Sequence, residues 1–367
     1  IEKKEKIHVP PIQEEELSPN GMARHTTVMI GNKAILFGGI NSEMVPQSTV
    51  YTFNVDTEIW EPMAPVGVVP LARQDHAACS INDLMFIFGG YNSQNNMYYD
   101  DLWSYSIVTN TWREMTVEGQ SRPSPRAFHT IQSLNNEYIV LYGGSHMDSP
   151  LNDVWIFNFV ERTWSPLYIS SPSTIIPMAF GTRSTVLNNT FIVGMGASTS
   201  MAPDRLIYSI TPYIEHSSAS IESYSKLEKL GNIFGSITAV SDRYILMFGG
   251  DRYGQLSDKL VRLFSNRSEI VDVSRSYNVP TRRSHHSAVF YGDRLMIFGG
   301  YGPIRNRLNR NLVNIGHDVW LFQLGPTCFE SATDRSQCHE CGIGTYHYRG
   351  QCLSCPAGYY IDEIGQT

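Results

Sequence analysis

Five of the six cysteines lie between Cys328 and Cys355, as Cys338-x-x-Cys341 and Cys352-x-x-Cys355 preceded by Cys328; the sixth is Cys79. Two C-x-x-C pairs are a possible four-thiolate zinc site. Oxidised, the same sulfurs would staple a unit too short to build its own apolar core. The spacer between the pairs is short for a zinc ribbon, and a fifth cysteine has no place in a four-ligand site. In addition, Cys341-x-x-Gly344-x-Tyr346 recurs as Cys355-x-x-Gly358-x-Tyr360. These features favour disulfides at Cys328, Cys338, Cys341, Cys352 and Cys355. Two sequons, at Asn188 and Asn266, point to the same oxidising compartment as glycosylation sites. One pairing, Cys328 with Cys338 and Cys341 with Cys352, would leave Cys355 for a cysteine beyond Thr367 and make this chain the front of a longer array.

A second set of residues suits recognition. Arg305, Arg307 and Arg310 crowd one segment with no acid before Asp318, in a chain of net charge −7. Tyr91, Tyr98, Tyr99, His146, Arg252 and Tyr253 fall in comparable segments. Guanidinium forks beside phenol rings fit an acidic or sulfated glycan, or a protein hot spot; the plainer reading is a set of solvated loops. His285-His286 is the only histidine pair, and no nucleophile motif, phosphate loop or H-E-x-x-H is present. No enzyme activity, cofactor or metal is therefore expected. With 42% hydrophobic and 17% charged residues the chain is globular. An acidic balance opposes nucleic-acid binding, no apolar run reaches a membrane-span length, and Ile1 to Lys6 carries no signal-peptide core.

These residues are positioned by a repeat. Ile35-Leu36-Phe37-Gly38-Gly39 recurs as strands ending in Gly89-Gly90, Gly143-Gly144, Gly249-Gly250 and Gly299-Gly300, with a weaker copy at Ile192 to Gly196. Their final glycines are spaced 51, 54, 52, 54 and 50 residues apart. Arg73/His76, Arg126/His129 and Arg283/His286 precede three of these strands, with Arg24-His25 as a shifted form. A third strand opens at Asp101-Leu102-Trp103, Asp153-Val154-Trp155 and Asp318-Val319-Trp320, and a fourth at Trp60, Trp112 and Trp164. The glycines allow positive φ and close backbone approach. The tryptophans supply area to bury against a neighbouring unit, and the Arg and His side chains are expected to bond loop carbonyls between units.

The period and its markers resemble the kelch repeat over residues 24–324. The resemblance implies an all-β fold, a six-bladed kelch β-propeller followed at 325–367 by a small disulfide-rich module. That module is similar to ephrin-receptor-like cysteine repeats. The combination resembles the cysteine-repeat modular proteins of apicomplexans and ciliates. It implies a non-catalytic extracellular, cell-surface or secretory-pathway module of adhesion or receptor type that binds a protein, or an acidic glycan. Copper-radical oxidases of this fold need a Tyr–Cys pair and iron-dependent specifier proteins an acidic-and-His set, and neither is found.

Blades four (about 178–230) and five (about 231–275) have lost the Trp markers. Blade six has no fourth strand before Cys328, so the segment 1–23, through Ile7 to Leu17, is expected to supply one and remove an open edge. In such a meander the b–c and d–a loops open on one face, which is the expected ligand face. Both sequons fall on the other.

Overall fold

The computed structural model describes residues 18–147, 149–169, 180–197, 206–226, 232–241, 244–264, 268–271, 280–292, 294–303, 313–324, 345–348, 351–354 and 359–360. Short strands of buried Ile, Leu, Val and Phe alternate with tight turns, as β-branched and aromatic composition favours. The strands form antiparallel meanders, each in the order a-b-c-d. The first comprises Thr26–Ile30, Lys33–Phe37, Val50–Asn54 and Ile59–Met63. The second comprises Ala77–Ile81, Leu84–Phe88, Leu102–Ser106 and Thr111–Glu114, and the third Thr130–Leu134, Tyr138–Tyr142, Val154–Asn158 and Thr163–Ile169. The fourth runs from Arg183–Leu187 through Thr190–Gly194 and Leu206–Tyr213 to Ser218–Lys226. The fifth is Ser236–Ser241, Tyr244–Phe248, Leu260–Leu263 and Ser268–Val271.

In the sixth sheet, Ser287–Tyr291, Arg294–Pro303 and Val313–Leu324 pair in sequence. Gln323 and Leu324 then pair in parallel with Tyr359 and Tyr360. The segment Ile7 to Leu17, expected on that edge, lies outside the described residues, as do Cys328, Cys338, Cys341 and Cys355. Cys352 falls on a strand, Gln351–Ser354, paired with Thr345–Tyr348. Among the described residues no helix is long and apolar enough to cross a membrane.

The a strands contact one another in cyclic order from the first sheet to the sixth and back to the first, giving an all-β, propeller-like arrangement. Apolar clusters fill the seams between sheets. Trp112 of the second sheet packs on Phe37 of the first (4.7 Å between rings), Trp164 of the third on Phe88 of the second (5.1 Å), and Trp60 of the first on Phe298 of the sixth (5.8 Å). The glycine pair is required by approach as well as conformation. Gly38 and Gly39 have φ of 64° and 82°, and a Cβ on either would stand 2.7 Å from the Arg73 carbonyl or 2.5 Å from that of Ala23.

The arginines do a different job from the one expected. Arg73, fully buried, bonds the Gly89 carbonyl of its own sheet and grips Asp101 bidentately at 2.6 and 2.8 Å. Arg126 with Gly143 and Asp153, and Arg283 with Gly299 and Asp318, repeat this. Burial raises the carboxyls of Asp153 and Asp318, but the guanidinium bonds outweigh it and hold both below the usual range. The histidines cross the seams: His76 to Thr26 at 2.7 Å, His129 to the Phe88 carbonyl at 3.1 Å, His286 to Ser236 at 3.0 Å and His25 to Ser287 at 2.7 Å. Arg24 is not a shifted copy of Arg73. Met22 occupies that position, its carbonyl accepting from Gly300 as the Arg73 carbonyl accepts from Gly39.

Candidate functional site: the loop face and its axial mouth

The residue just before each repeat histidine, or its equivalent, sits at the centre of one face. These residues are Arg24, Asp75, Phe128, Gly181, Phe234 and His285, with φ between 53° and 72°. Left-handed backbone costs a non-glycine residue about 1–2 kcal/mol, so five such residues need outside support. The support is a head-to-tail chain of backbone bonds. Arg24 N–H donates to His285 O, Asp75 to Arg24, Phe128 to Asp75, Gly181 to Phe128 and His285 to Phe234, at 2.8–3.1 Å. Gly181 and Phe234 instead meet through a ring, since a Cβ on Gly181 would lie 2.4 Å from Phe234.

This ring frames a mouth with one charged and one aromatic side. Arg24 pairs with Asp75 at 2.9 Å and donates to the Tyr301 hydroxyl at 3.0 Å. Burial pushes the Asp75 carboxyl above the usual carboxylate range, which Arg24 only partly offsets, while Asp75 holds the Arg24 guanidinium charged. Opposite, Phe128 and Phe180 lie 4.4 Å apart, Phe234 stacks on His285 at 4.0 Å, and Tyr301 closes the cluster 5.0 Å from His285. Burial and the nearby Arg24 keep His285 neutral.

The b–c hairpins rise around this mouth. Each is tied to the ring by a bridge between the residue after the glycine pair and the residue before the ring position, as in Gln74 with Tyr91 and Ser284 with Tyr301. Tyr91 and Tyr98 pair across one hairpin, 4.7 Å between rings, and Tyr98 reaches His146 of the next at 5.2 Å. Met44, Met97, Met147 and Tyr253 crown four hairpins at 55, 48, 69 and 71% exposure. Methionine and tyrosine offer adaptable apolar contact.

Sequence reasoning located part of this. Tyr91, Tyr98 and His146 come together, and Arg252 and Tyr253 share the face on their own hairpin, Asp251–Arg252 with Gln255–Leu256. Tyr99 does not join them. It turns inward, 7% exposed, beneath the Arg73 guanidinium at 4.2 Å, because a hairpin alternates its side chains and Tyr98 faces out. The segment Tyr301 to His317 is only partly loop. Pairing continues past the Gly299-Gly300 bulge to Pro303 and Val313, while Arg305, Arg307 and Arg310 lie outside the described residues. Asn188 is exposed in the a–b turn of the fourth sheet, with φ of 50°, and Asn266 is not described. The axial ring and the three methionines were missed. Their signal was readable: Arg24, Asp75, Phe128 and His285 vary immediately before constant histidines.

A meander ring with seam histidines, a framed axial mouth and raised hairpins defines a propeller-type interaction scaffold. The model of the KLHDC2/KLHL20/DRC7 Kelch-repeats domain matches residues 24–214, and the chain belongs to this kelch-repeat family. It is 24% identical over 319 residues to the Leucine-zipper-like transcriptional regulator 1 homolog of Drosophila melanogaster, covering 83% of this chain and 31% of that protein. It is 32% identical over 148 residues to human Kelch domain-containing protein 3, covering 38% of each. Acyl-CoA-binding domain-containing protein 4 of Arabidopsis thaliana is 24% identical over 229 residues, 62% of this chain and 34% of that one. The chain thus spans about a third of the length of these relatives.

Proposed function

We propose that this chain is a six-bladed, non-catalytic interaction module that takes a protein partner on its loop face, around the axial mouth. One observation carries the reading. The face gathers exposed Met44, Met97, Met147 and Tyr253 and the Tyr91–Tyr98–His146 ring cluster, all on hairpins anchored to a strained, bonded ring that carries the largely buried Arg24. Rigid aromatic anchors with adaptable polar neighbours are the composition of a hot spot. Arg305, Arg307 and Arg310, read from the sequence, suit acidic side chains of the partner, or a sulfated glycan. The seam histidines are engaged in holding sheets together, which leaves them for structure rather than catalysis.

The test is selection of a peptide library on the full chain, followed by affinity measurement on Tyr98→Ala, Tyr253→Ala and Met97→Asp. The reading predicts a tenfold or greater loss on at least one variant. Unchanged affinity on all three would contradict it.

We further propose a secretory-pathway or cell-surface setting, with the cysteine segment a disulfide-bonded spacer within a longer modular protein. The grouping of Cys328 to Cys355 supports this. Intact mass with and without reductant tests it: a deficit of two disulfides and no zinc is expected, whereas four reduced thiolates around one zinc would reverse the setting.

A further inference from the structure

Strand d of one sheet leads to strand a of the next through a linker, and two of these linkers lie wholly within the described residues. They are Ala64 to Ala72, between the first and second sheets, and Thr116 to Pro125, between the second and third. Their backbones follow one plan. Val66 N–H donates to the Asn110 carbonyl at 3.0 Å and Val66 bridges Thr111; Glu118 N–H donates to the Arg162 carbonyl at 2.8 Å and Glu118 bridges Thr163. Gly67 and Gly119 follow with φ of 91° and 77°. Pro70 and Pro123 are both buried, and every exposed position of the first linker is exposed in the second, where Arg122 is the one insertion.

Their chemistry is opposite. Val66, Val68, Val69 and Leu71, which are 70, 75, 37 and 61% exposed, stand where the second linker has Glu118, Gln120, Ser121 and Ser124. No side chain from Ala64 to Ala72 is charged or polar. The fold accepts polar groups at these places, so packing within the chain does not call for aliphatic ones. A lone exposed valine is ordinary, but a continuous run presenting roughly 500 Å² of apolar surface has the size of a contact site. Val66 lies against the outermost strand of the second sheet, and Asn110 Nδ2 donates to the Ala64 carbonyl at 2.8 Å. The run therefore sits on the rim, beside the turn Ile107–Asn110 of the face opposite the hairpins.

We infer that this rim is a self-association surface that seats a second copy of the chain by two-fold symmetry. An aliphatic ribbon without charge is complementary to itself, which is what a two-fold contact asks of a surface. Two copies of net charge −7 repel each other, and the linker is a place where they meet without opposing like charges. Two such patches bury about 1,000 Å² together, which reaches the lower bound of a specific interface and falls well short of an obligate one. The dimer is accordingly reversible, with a dissociation constant in the micromolar range. It leaves the hairpins free and is independent of the partner proposed for the loop face.

Sedimentation velocity of the full chain across the micromolar range is the test. The wild-type chain should shift from monomer to dimer as its concentration rises. Val68→Glu should leave Tm unchanged and weaken the dimer at least tenfold, because a two-fold contact receives the unpaired charge twice. Gln120→Glu, at the matching place in the second linker, should dimerise as the wild type does. Should Val68→Glu fold poorly, Val68→Gln with Val69→Ser copies residues that the second linker already carries, and should weaken the dimer in the same direction. A monomer at every concentration would overturn the inference and assign the ribbon to another segment or another protein. A dimer untouched by Val68→Glu, or weakened equally by Gln120→Glu, would overturn it as well.

Discussion

The second and fifth sheets were built on the same plan and now solve it differently. In the second, Arg73 grips Asp101, and His129 of the following sheet reaches over Gly89 to bond the Phe88 carbonyl. In the fifth, Asn232 stands where Arg73 does and bonds the Gly249 carbonyl at 2.8 Å, while Lys259 stands where Asp101 does. The acid and the base are gone together, so no buried charge is left alone. The seam before that sheet makes a second exchange. At three other seams a glycine of one sheet receives a histidine of the next, Gly38 with His76, Gly89 with His129 and Gly249 with His286; here Met195 takes the glycine position with φ of 58°, and Gly235 takes the histidine position. A Cβ on Gly235 would lie 2.1 Å from the Met195 Cε. The contact survives with its partners reversed. The fourth sheet lacks the outer Trp and compensates through main chain: Tyr168 and Ile169 of the third pair in parallel with Ser218 and Ala219, while Ala219 and Ile221 pack near Tyr142. A repeat erodes in pairs, because each half of a seam is a constraint on the other.

The comparison can be broken most sharply at its ion pairs. Arg126→Ala removes a fully buried guanidinium from a half-buried Asp153 and leaves the Gly143 carbonyl unmet. A loss of about 3–5 kcal/mol is expected in denaturant unfolding, from the lost charged bonds together with the space vacated by a fully buried side chain. Asn232→Ala, at the matching position, removes one neutral bond and should cost about 1–2 kcal/mol. Equal losses would mean that the two sheets do not differ as described.

Next in size is the reversed seam. Gly235→His alone overpacks Met195 and should cost about 1–3 kcal/mol. Met195→Gly alone opens a void and should cost about 2–5 kcal/mol. The double variant restores the arrangement of those three seams, so a coupling of about 1–3 kcal/mol in its favour is expected from a double-mutant cycle. Additive losses would refute the exchange.

Acid sharpens the contrast further. The seam histidines have folded-state values depressed far below 6.5, so the unfolded chain binds the extra protons. Their contribution is fully present above about pH 6.5 and is lost as pH falls toward about 3. Each buried histidine steepens stability by up to about 1.4 kcal/mol per pH unit in that window. The lowered carboxyls of Asp153 and Asp318 act only below about pH 4, being lost as pH falls through their folded values. Thr182 and Gly235 replace histidine in the fourth and fifth sheets. Hydrogen exchange between pH 6.5 and 4.5 should therefore loosen the a strands near His25, His76, His129 and His286 before Arg183–Leu187. Uniform loosening would contradict this. The smallest effect is expected at the surface, where Tyr98→Ala loses its ring contacts with Tyr91 and His146 and about 0.5–1.5 kcal/mol.

Much of this architecture was legible in the sequence, because its markers answer local demands. Glycines ending strand b are forced by backbone approach, and Trp112 and Trp164 by the need to cover the neighbouring sheet. The pairing of Arg73 with Asp101 was also open to reading, since the same two residue types recur together in three repeats, 28, 27 and 35 residues apart, yet the residues were noted apart. The axial ring was missed for a physical reason. Its six residues share a backbone conformation and a place before the histidine position but no residue type, so composition could not unite Arg24, Phe128 and Gly181. Tyr99 was misplaced because two adjacent tyrosines on a hairpin must face opposite ways, and only the register decides which is outward.

The loop face is the surface proposed to meet a partner. Hydrogen–deuterium exchange of the full chain, with and without a library-selected peptide, addresses this directly. Protection confined to Asn41–Pro46, Tyr91–Tyr98, Ser145–Met147, Asp251–Leu256 and the ring residues Arg24, Asp75, Phe128, Gly181, Phe234 and His285 is the predicted result. Protection instead at the opposite turns, Asn54–Glu58, Ile107–Asn110 and Phe159–Arg162, would contradict it.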